Sequence, residues 1–348
     1  MSSTGFLPAL ANQPDEGMLS NTVLHTQTRH IAFLLPLDSP SLRQVAFAVQ
    51  KGFENAAQLE PDFILDMVSY PTDGNEPSVL SAYQQAIDNG AQMVVGPLTR
   101  DGVDALVSSH LTSLPTLALN YPTKKMIGLS AQLFFLGISV ELEAQNAARM
   151  AAASGRHHAV ILADRSKLSK RLKAAFADAW LQINPDFSAE DMEIGFRNKL
   201  SILSGRSHNQ DNIIFLALNS LNSGAVRSFI HQSVPIYATS LVFSSKDPAH
   251  IDGLEAVRFT DMPWLVQPEL ASNQYYHSPD MPTDINLQRF YALGIDAFRL
   301  AHKILEYHSP ETIVLDGVSG FIRLDPSGHF NRRLIPAIFS QGKVIPDN

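Results

Sequence analysis

The chain has 348 residues, of which 45% are hydrophobic and 17% charged, with 26 Lys and Arg against 34 Asp and Glu for a net charge of −8. That length allows about two domains, each with enough apolar residues for a buried core. The acidic balance argues against a nonspecific nucleic-acid binder, which concentrates Lys and Arg, and the absence of cysteine excludes thiol nucleophiles, CxxC redox chemistry, thiolate zinc sites and disulfides.

Residues 1–28 hold no Lys or Arg and no apolar run of signal-peptide length, so they read as a polar leader, on the surface or disordered. No stretch reaches the ~18–20 consecutive apolar residues needed to span a bilayer. From Arg29 short apolar runs alternate with amphipathic stretches. HIAFLLPL (30–37) reads as a buried strand, and Val45, Val49, Phe53 and Ala57 then recur every four residues, as on one face of a helix. FILDMVSY (63–70), AQMVVGPL (91–98), LPTLALN (114–120) and FFLGIS (134–139) read as further strands, with helices expected over 78–89, 101–110 and 141–154.

A second series begins at HHAVILAD (157–164). A helix is expected over 167–183, with Leu168, Leu172, Phe176, Ala179 and Ile183 on one face, then strands at 191–196, 212–218 and 235–240 and a helix near 224–231. Strands apolar throughout and separated by helices imply parallel sheets covered on both faces. The expected fold is therefore α/β, with two doubly wound Rossmann-like lobes. FTDMPWLV (259–266) reads as a late strand, residues 286–305 as a long helix, and the closing segment, with DPSG and QGK as turns, as a small antiparallel hairpin or meander.

Most chemical motifs fail. The turn after the first strand, DSPSLRQ, has no glycine, which removes the dinucleotide and phosphate cradles, and GVSGF (317–321) misses the register of a nucleophile elbow. Tyr121 and Lys125 have the Y-x-x-x-K spacing of a proton-donating pair, but Pro122 breaks the helix they would need. Ser340 and Lys343 match S-x-x-K, yet QGK is better explained as a turn. His157 and His158 point to opposite faces of a strand, without a second ligand at helical spacing. Lys167, Lys170, Arg171 and Lys173 read as the solvated face of a helix, and Trp264, ending a strand, reads as packing before ligand contact. No metal or cofactor is implied.

What remains are strand ends, where open α/β sheets bind ligands in the crevice next to helix N-termini. Ser39 and Ser41 follow the first strand, Pro97, Leu98 and Thr99 close the third, and Asn120 and Tyr121 the fourth; Gln145 and Trp264 complete the candidate cleft.

Two α/β lobes, with the chain crossing between them near 121–140, 241–260 and 270–285, resemble the type I periplasmic-binding-protein architecture. Residues 29–135, about 241–285 and 306–348 are assigned to the first lobe and the crossovers, and 136–240 with 286–305 to the second. IAFLLPL (31–37), VVGPLTRDGVDAL (94–106), FFLGISVELEAQNAA (134–148), PIYATS (235–240), TDMPWL (260–265), RFYALGIDAFRL (289–300) and DGVSGFIRLDPSGHFNRRLIPAIFSQGKVIP (316–346) together resemble the LppC/LpoA family of outer-membrane lipoproteins that activate class A penicillin-binding proteins. The resemblance implies the periplasmic side of the outer membrane and a non-enzymatic role in peptidoglycan synthesis, with a class A synthase as partner. It also implies a lipidated cysteine and a preceding helical-repeat domain, and 1–28 supply neither, so the anchor is expected outside this sequence. The alternative is a soluble periplasmic receptor that closes on an amino acid or peptidoglycan fragment at Ser39, Ser41, Thr99, Asn120, Tyr121 and Gln145. DSPSLRQ lacks the glycine-rich form usual in such receptors, which favours the regulator; an enzyme ranks third.

Overall fold

In the computed structural model, the described residues are 1, 29–109, 111–123, 130–194, 211–306 and 313–347. The expected leader and Lys125 lie outside them, as do His110 and residues 195–196 of the expected elements. The first sheet contains β1 (His30–Phe33), β2 (Asp66–Ser69), β3 (Ala91–Val95), β4 (Thr116–Ala118) and β5 (Leu133–Phe135), in the spatial order β2-β1-β3-β4-β5 and parallel throughout. Between the strands run α1 (Arg43–Gln58), α2 (Glu76–Asp88) and α3 (Arg100–Ser109). The period of two along a strand explains why apolar runs were needed here. Ile31, Phe33 and Leu35 enter one core while Ala32 and Leu34 enter the core on the opposite face.

The second sheet begins after α4 (Val140–Ala152). It holds β6 (His158–Ala163), β7 (Ser188–Glu193), β8 (Asn212–Ala217), β9 (Ile236–Ala238) and β10 (Val257–Asp261), parallel in the order β10-β9-β8-β6-β7. α5 (Lys167–Ile183) has the expected bounds, with the Ser166 hydroxyl accepting from Ser169 N–H as its cap. Its face differs from the expected one. Leu168 and Ile183 are exposed, and Trp180 joins Leu172 and Phe176 in the core, stacked over Phe187. α6 (Ser220–Arg227) starts earlier than expected, because Asn219 caps it.

The strand expected over 259–266 ends at Asp261. Pro263, which has no N–H to give a ladder, opens α8 (Pro263–Val266) instead. The short helices α7 (Pro248–Asp252) and α9 (Ala271–Tyr275) flank this region.

The late segments correct the lobe assignment. α10 (Ile285–Glu306) packs along α1, and so belongs with the first sheet rather than the second. The two helices approach at glycines: a Cβ on Gly294 would stand 2.0 Å from the Val49 carbonyl oxygen, and one on Gly52 would stand 1.9 Å from that of Tyr291. β10, by contrast, lies inside the second sheet, so 241–260 is not a crossing. The chain crosses from β5 to α4, from β10 to α10, and again between β13 and β14. The closing strands also divide. β11 (Val314–Gly317), β12 (Gly320–Leu324) and β13 (Phe330–Arg333) form a separate antiparallel sheet that meets β5 through Phe135 and His329. β14 (Ile335–Ser340) extends the second sheet antiparallel to β10, and β15 (Lys343–Pro346) adds antiparallel to β14. Their turn is Gln341-Gly342, both with positive φ (51° and 72°), the twist a two-residue hairpin favours, so Ser340 and Lys343 simply flank it. The fold expected, two parallel-sheet α/β lobes, is the one observed.

Candidate functional site

The candidate residues of the first lobe sit where expected, at the carboxyl ends of its strands, but most of their polar groups are already used. The Thr99 hydroxyl donates to Gly74 O at 2.7 Å and accepts from Gly102 N–H at 3.1 Å, capping α3. Asn120 donates through Nδ2 to Leu98 O at 2.9 Å and accepts from Tyr121 N–H at 2.9 Å. Leu119 N–H reaches Pro97 O, and Pro97 and Leu98 are buried. These bonds knit neighbouring strand ends to one another and satisfy their buried polar groups. Ser41 is exposed and Ser39 half-buried, their hydroxyls 3.3 Å apart.

Tyr121 turns away from this row. Its hydroxyl donates to Phe330 O at 3.2 Å and its ring stacks on His329, beneath the third sheet; burial pushes its pKa up. Gln145 is half-buried on α4. Trp264 is buried in the second crossing, stacked on His277 at 5.0 Å between ring centres and tilted against Tyr291, while its backbone N–H donates to Val318 O. Its surroundings are those of a packing residue. Of the motifs set aside, His157 pairs with Asp211 at 3.2 Å and His158 with Ser188 at 2.7 Å.

The strongest electrostatics lie in residues that sequence reasoning did not single out. Arg289 of α10 reaches from the first lobe into the second, where it grips Asp261 through Nε at 3.0 Å and Nη2 at 2.6 Å and donates to Ser240 O and Phe243 O at 3.0 and 2.8 Å. Both side chains are almost fully buried. Burial works against the Arg289 charge, but Asp261 outweighs it and raises the pKa. Nearby, buried Glu143 accepts Ser240 N–H at 2.9 Å, and burial, reinforced by the Asp261 charge, pushes its pKa up to about 7. Asp296, also buried, accepts Val318 and Ser319 N–H at 3.1 and 2.7 Å and pairs with Arg299; burial raises its pKa. These groups fasten the crossings. Local spacing does not mark these bonds, because the partners that tie Arg289 and Asp296 to other elements lie 22 to 49 residues away.

Across the cleft, Arg100 of α3 and Arg171 of α5 meet the Glu141 carboxylate of α4. Arg171 belonged to the basic run read as solvated and is itself exposed while making this pair; Lys173 of the same run is half-buried and pairs with Asp191 at 2.7 Å. Among the described residues no group of three or more His, Asp or Glu is placed to hold a metal.

The family model "LppC putative lipoprotein" matches residues 8–204 and 199–342, nearly the whole chain. The chain belongs to the LppC family. Penicillin-binding protein activator LpoA of Haemophilus ducreyi is 26% identical over 355 residues, which cover 98% of this chain and 58% of that protein. This LppC chain therefore spans less than two thirds of the length of such relatives. The C-domain of Haemophilus influenzae LpoA, described as a regulator of PBP1A, superposes with a TM-score of 0.75 at 22% identity, over 92% of this chain and all of that one. A Chromobacterium violaceum structure, assigned provisionally to a branched-chain amino acid ABC transporter, is 31% identical with a TM-score of 0.75, over 89% and 99% of the two chains.

Proposed function

We propose that this chain is a non-enzymatic regulator of peptidoglycan synthesis that docks on a class A penicillin-binding protein at the periplasmic face of the outer membrane. The observation that carries the reading is that relatives named as penicillin-binding protein activators match it along 93–99% of its length. The site geometry agrees, since the Thr99 hydroxyl and the Asn120 amide, which a receptor would turn toward a ligand, are bound to the protein's own backbone. No described helix is long and apolar enough to cross a membrane, so attachment by a lipid outside the described residues fits this location. Added to the class A synthase of its own organism, the purified protein raises the rate of glycan polymerisation or crosslinking. Absence of stimulation together with absence of binding would refute the reading.

A second reading rests on the Chromobacterium similarity: a receptor for a small amino acid, closing on Ser39, Ser41 and Gln145. Under it, one of the branched-chain amino acids raises the melting temperature in a saturable way, and the synthase does not respond.

A further inference from the structure

Three charged side chains from three helices meet between the lobes. Arg100 opens α3 at the end of β3 in the first lobe, Glu141 lies in the first turn of α4 just after the first crossing, and Arg171 lies on α5 in the second lobe. Arg100 Nη2 donates to both Glu141 oxygens, at 3.0 and 2.9 Å. Arg171 donates through Nε to Oε1 at 2.7 Å and through Nη2 to the same oxygen, and the Ser139 hydroxyl donates to Oε2 at 3.2 Å. The carboxylate is thus held by one guanidinium from each lobe, by a hydroxyl and by the positive end of a thirteen-residue helix. Planar guanidinium forks on a carboxylate at a helix N-terminus make the arrangement by which proteins recognise carboxylate ligands. Burial opposes the Glu141 charge, yet the two arginines outweigh it and hold its pKa below the usual carboxylate range.

The Thr99 hydroxyl and the Asn120 amide at the strand ends of the first lobe do not compete for this position, because they are bonded to backbone carbonyls. Glu141 thus takes donors from both lobes, Arg100 from the first and Arg171 from the second. We propose that Arg100 and Arg171 form a carboxylate-binding site between the lobes and that Glu141 fills it from within, latching the lobes together without a small molecule. Tethering gives such an internal ligand a millimolar or higher effective concentration, so free carboxylates do not displace it at ordinary levels. The inference depends on the two-lobe fold and stands whether or not a synthase is the partner.

The chain has no cysteine, so Ser41→Cys beyond β1 and Leu221→Cys at the start of α6, both exposed, can carry a pair of spin labels across the cleft. Pulsed dipolar distance measurement on that background gives one narrow distribution, unchanged by sodium acetate. Glu141→Gly shifts it to longer distances, and acetate, but not chloride at the same ionic strength, restores the short one. Arg100→Gln shifts it in the same way and is not rescued by acetate. All three side chains are partly exposed, so these variants fold, as circular dichroism checks. A Glu141→Gly distribution identical to that of the parent overturns the latch, and opening that acetate and chloride affect alike overturns the carboxylate site.

Discussion

Replacing Arg289 with Met tests how the two lobes are fastened. The guanidinium of Arg289 satisfies Asp261, which is 1% exposed, together with the carbonyls of Ser240 and Phe243 and the side chain of Asn286. Met fills much of the volume but leaves Asp261 with only the N–H of Met262 and leaves Glu143 without its nearest cation. Breaking a buried pair in this way costs about 3–5 kcal/mol, far more than an exposed ion pair, because a charge stays buried without compensation. For a chain of 348 residues that lowers the melting temperature by about 4–7 °C. Urea unfolding followed by fluorescence reads it from both sides of the junction, since Trp264 sits in the second crossing and Trp180 in the core of the second lobe. The double variant Arg289→Met with Asp261→Asn removes the stranded charge and recovers part of the loss. A single variant within about 1 kcal/mol of wild type, or a double variant no better than the single, would refute the argument that the pair fastens the lobes.

Two further outcomes follow from the packing and the titration. Because the folded pKa of Glu143, about 7, lies above the ordinary glutamate value of 4.5, the folded state binds this proton more tightly. Its stabilising effect is complete below pH 4.5, falls as pH rises and is gone above about 7, an amplitude on the order of 3 kcal/mol at most; Glu143→Gln flattens that slope in denaturation measured from pH 5 to 8, and an unchanged slope assigns it elsewhere. Gly294→Ala drives a methyl against the Val49 carbonyl and costs about 3 kcal/mol or more, whereas Gly224→Ala in α6, with nothing within 4 Å, is neutral or gains up to about 1 kcal/mol. Equal effects of the two alanines in calorimetry would count against backbone contact between α1 and α10.

The βα rhythm was legible because each element carries its own period. Ile31 and Ala32 declare two covered faces by being apolar in succession, and Ser166 and Ser139 announce the helices they cap. The Gln341-Gly342 turn was readable for the same local reason. The α5 face was misjudged because the expected face stepped from Phe176 to Ala179 and Ile183, whereas the core continues the four-residue spacing of Leu172 and Phe176 to Trp180, leaving Ile183 exposed at the helix end.

The sequence by itself determined the α/β class, the alternation of strands and helices, and the strand ends where a crevice would form. Only the tertiary structure decided which lobe each late element joins. α10 is buried nearly all round, its polar Gln288, Arg289 and Asp296 included, so its pattern names no single partner, and the bare backbone at Gly52 and Gly294 lets it settle on α1. The pairings of Arg289 with Asp261 and of Arg100 and Arg171 with Glu141 were settled the same way. A charge is identical on a solvated face and in a cleft until the fold brings its partner within about 3 Å.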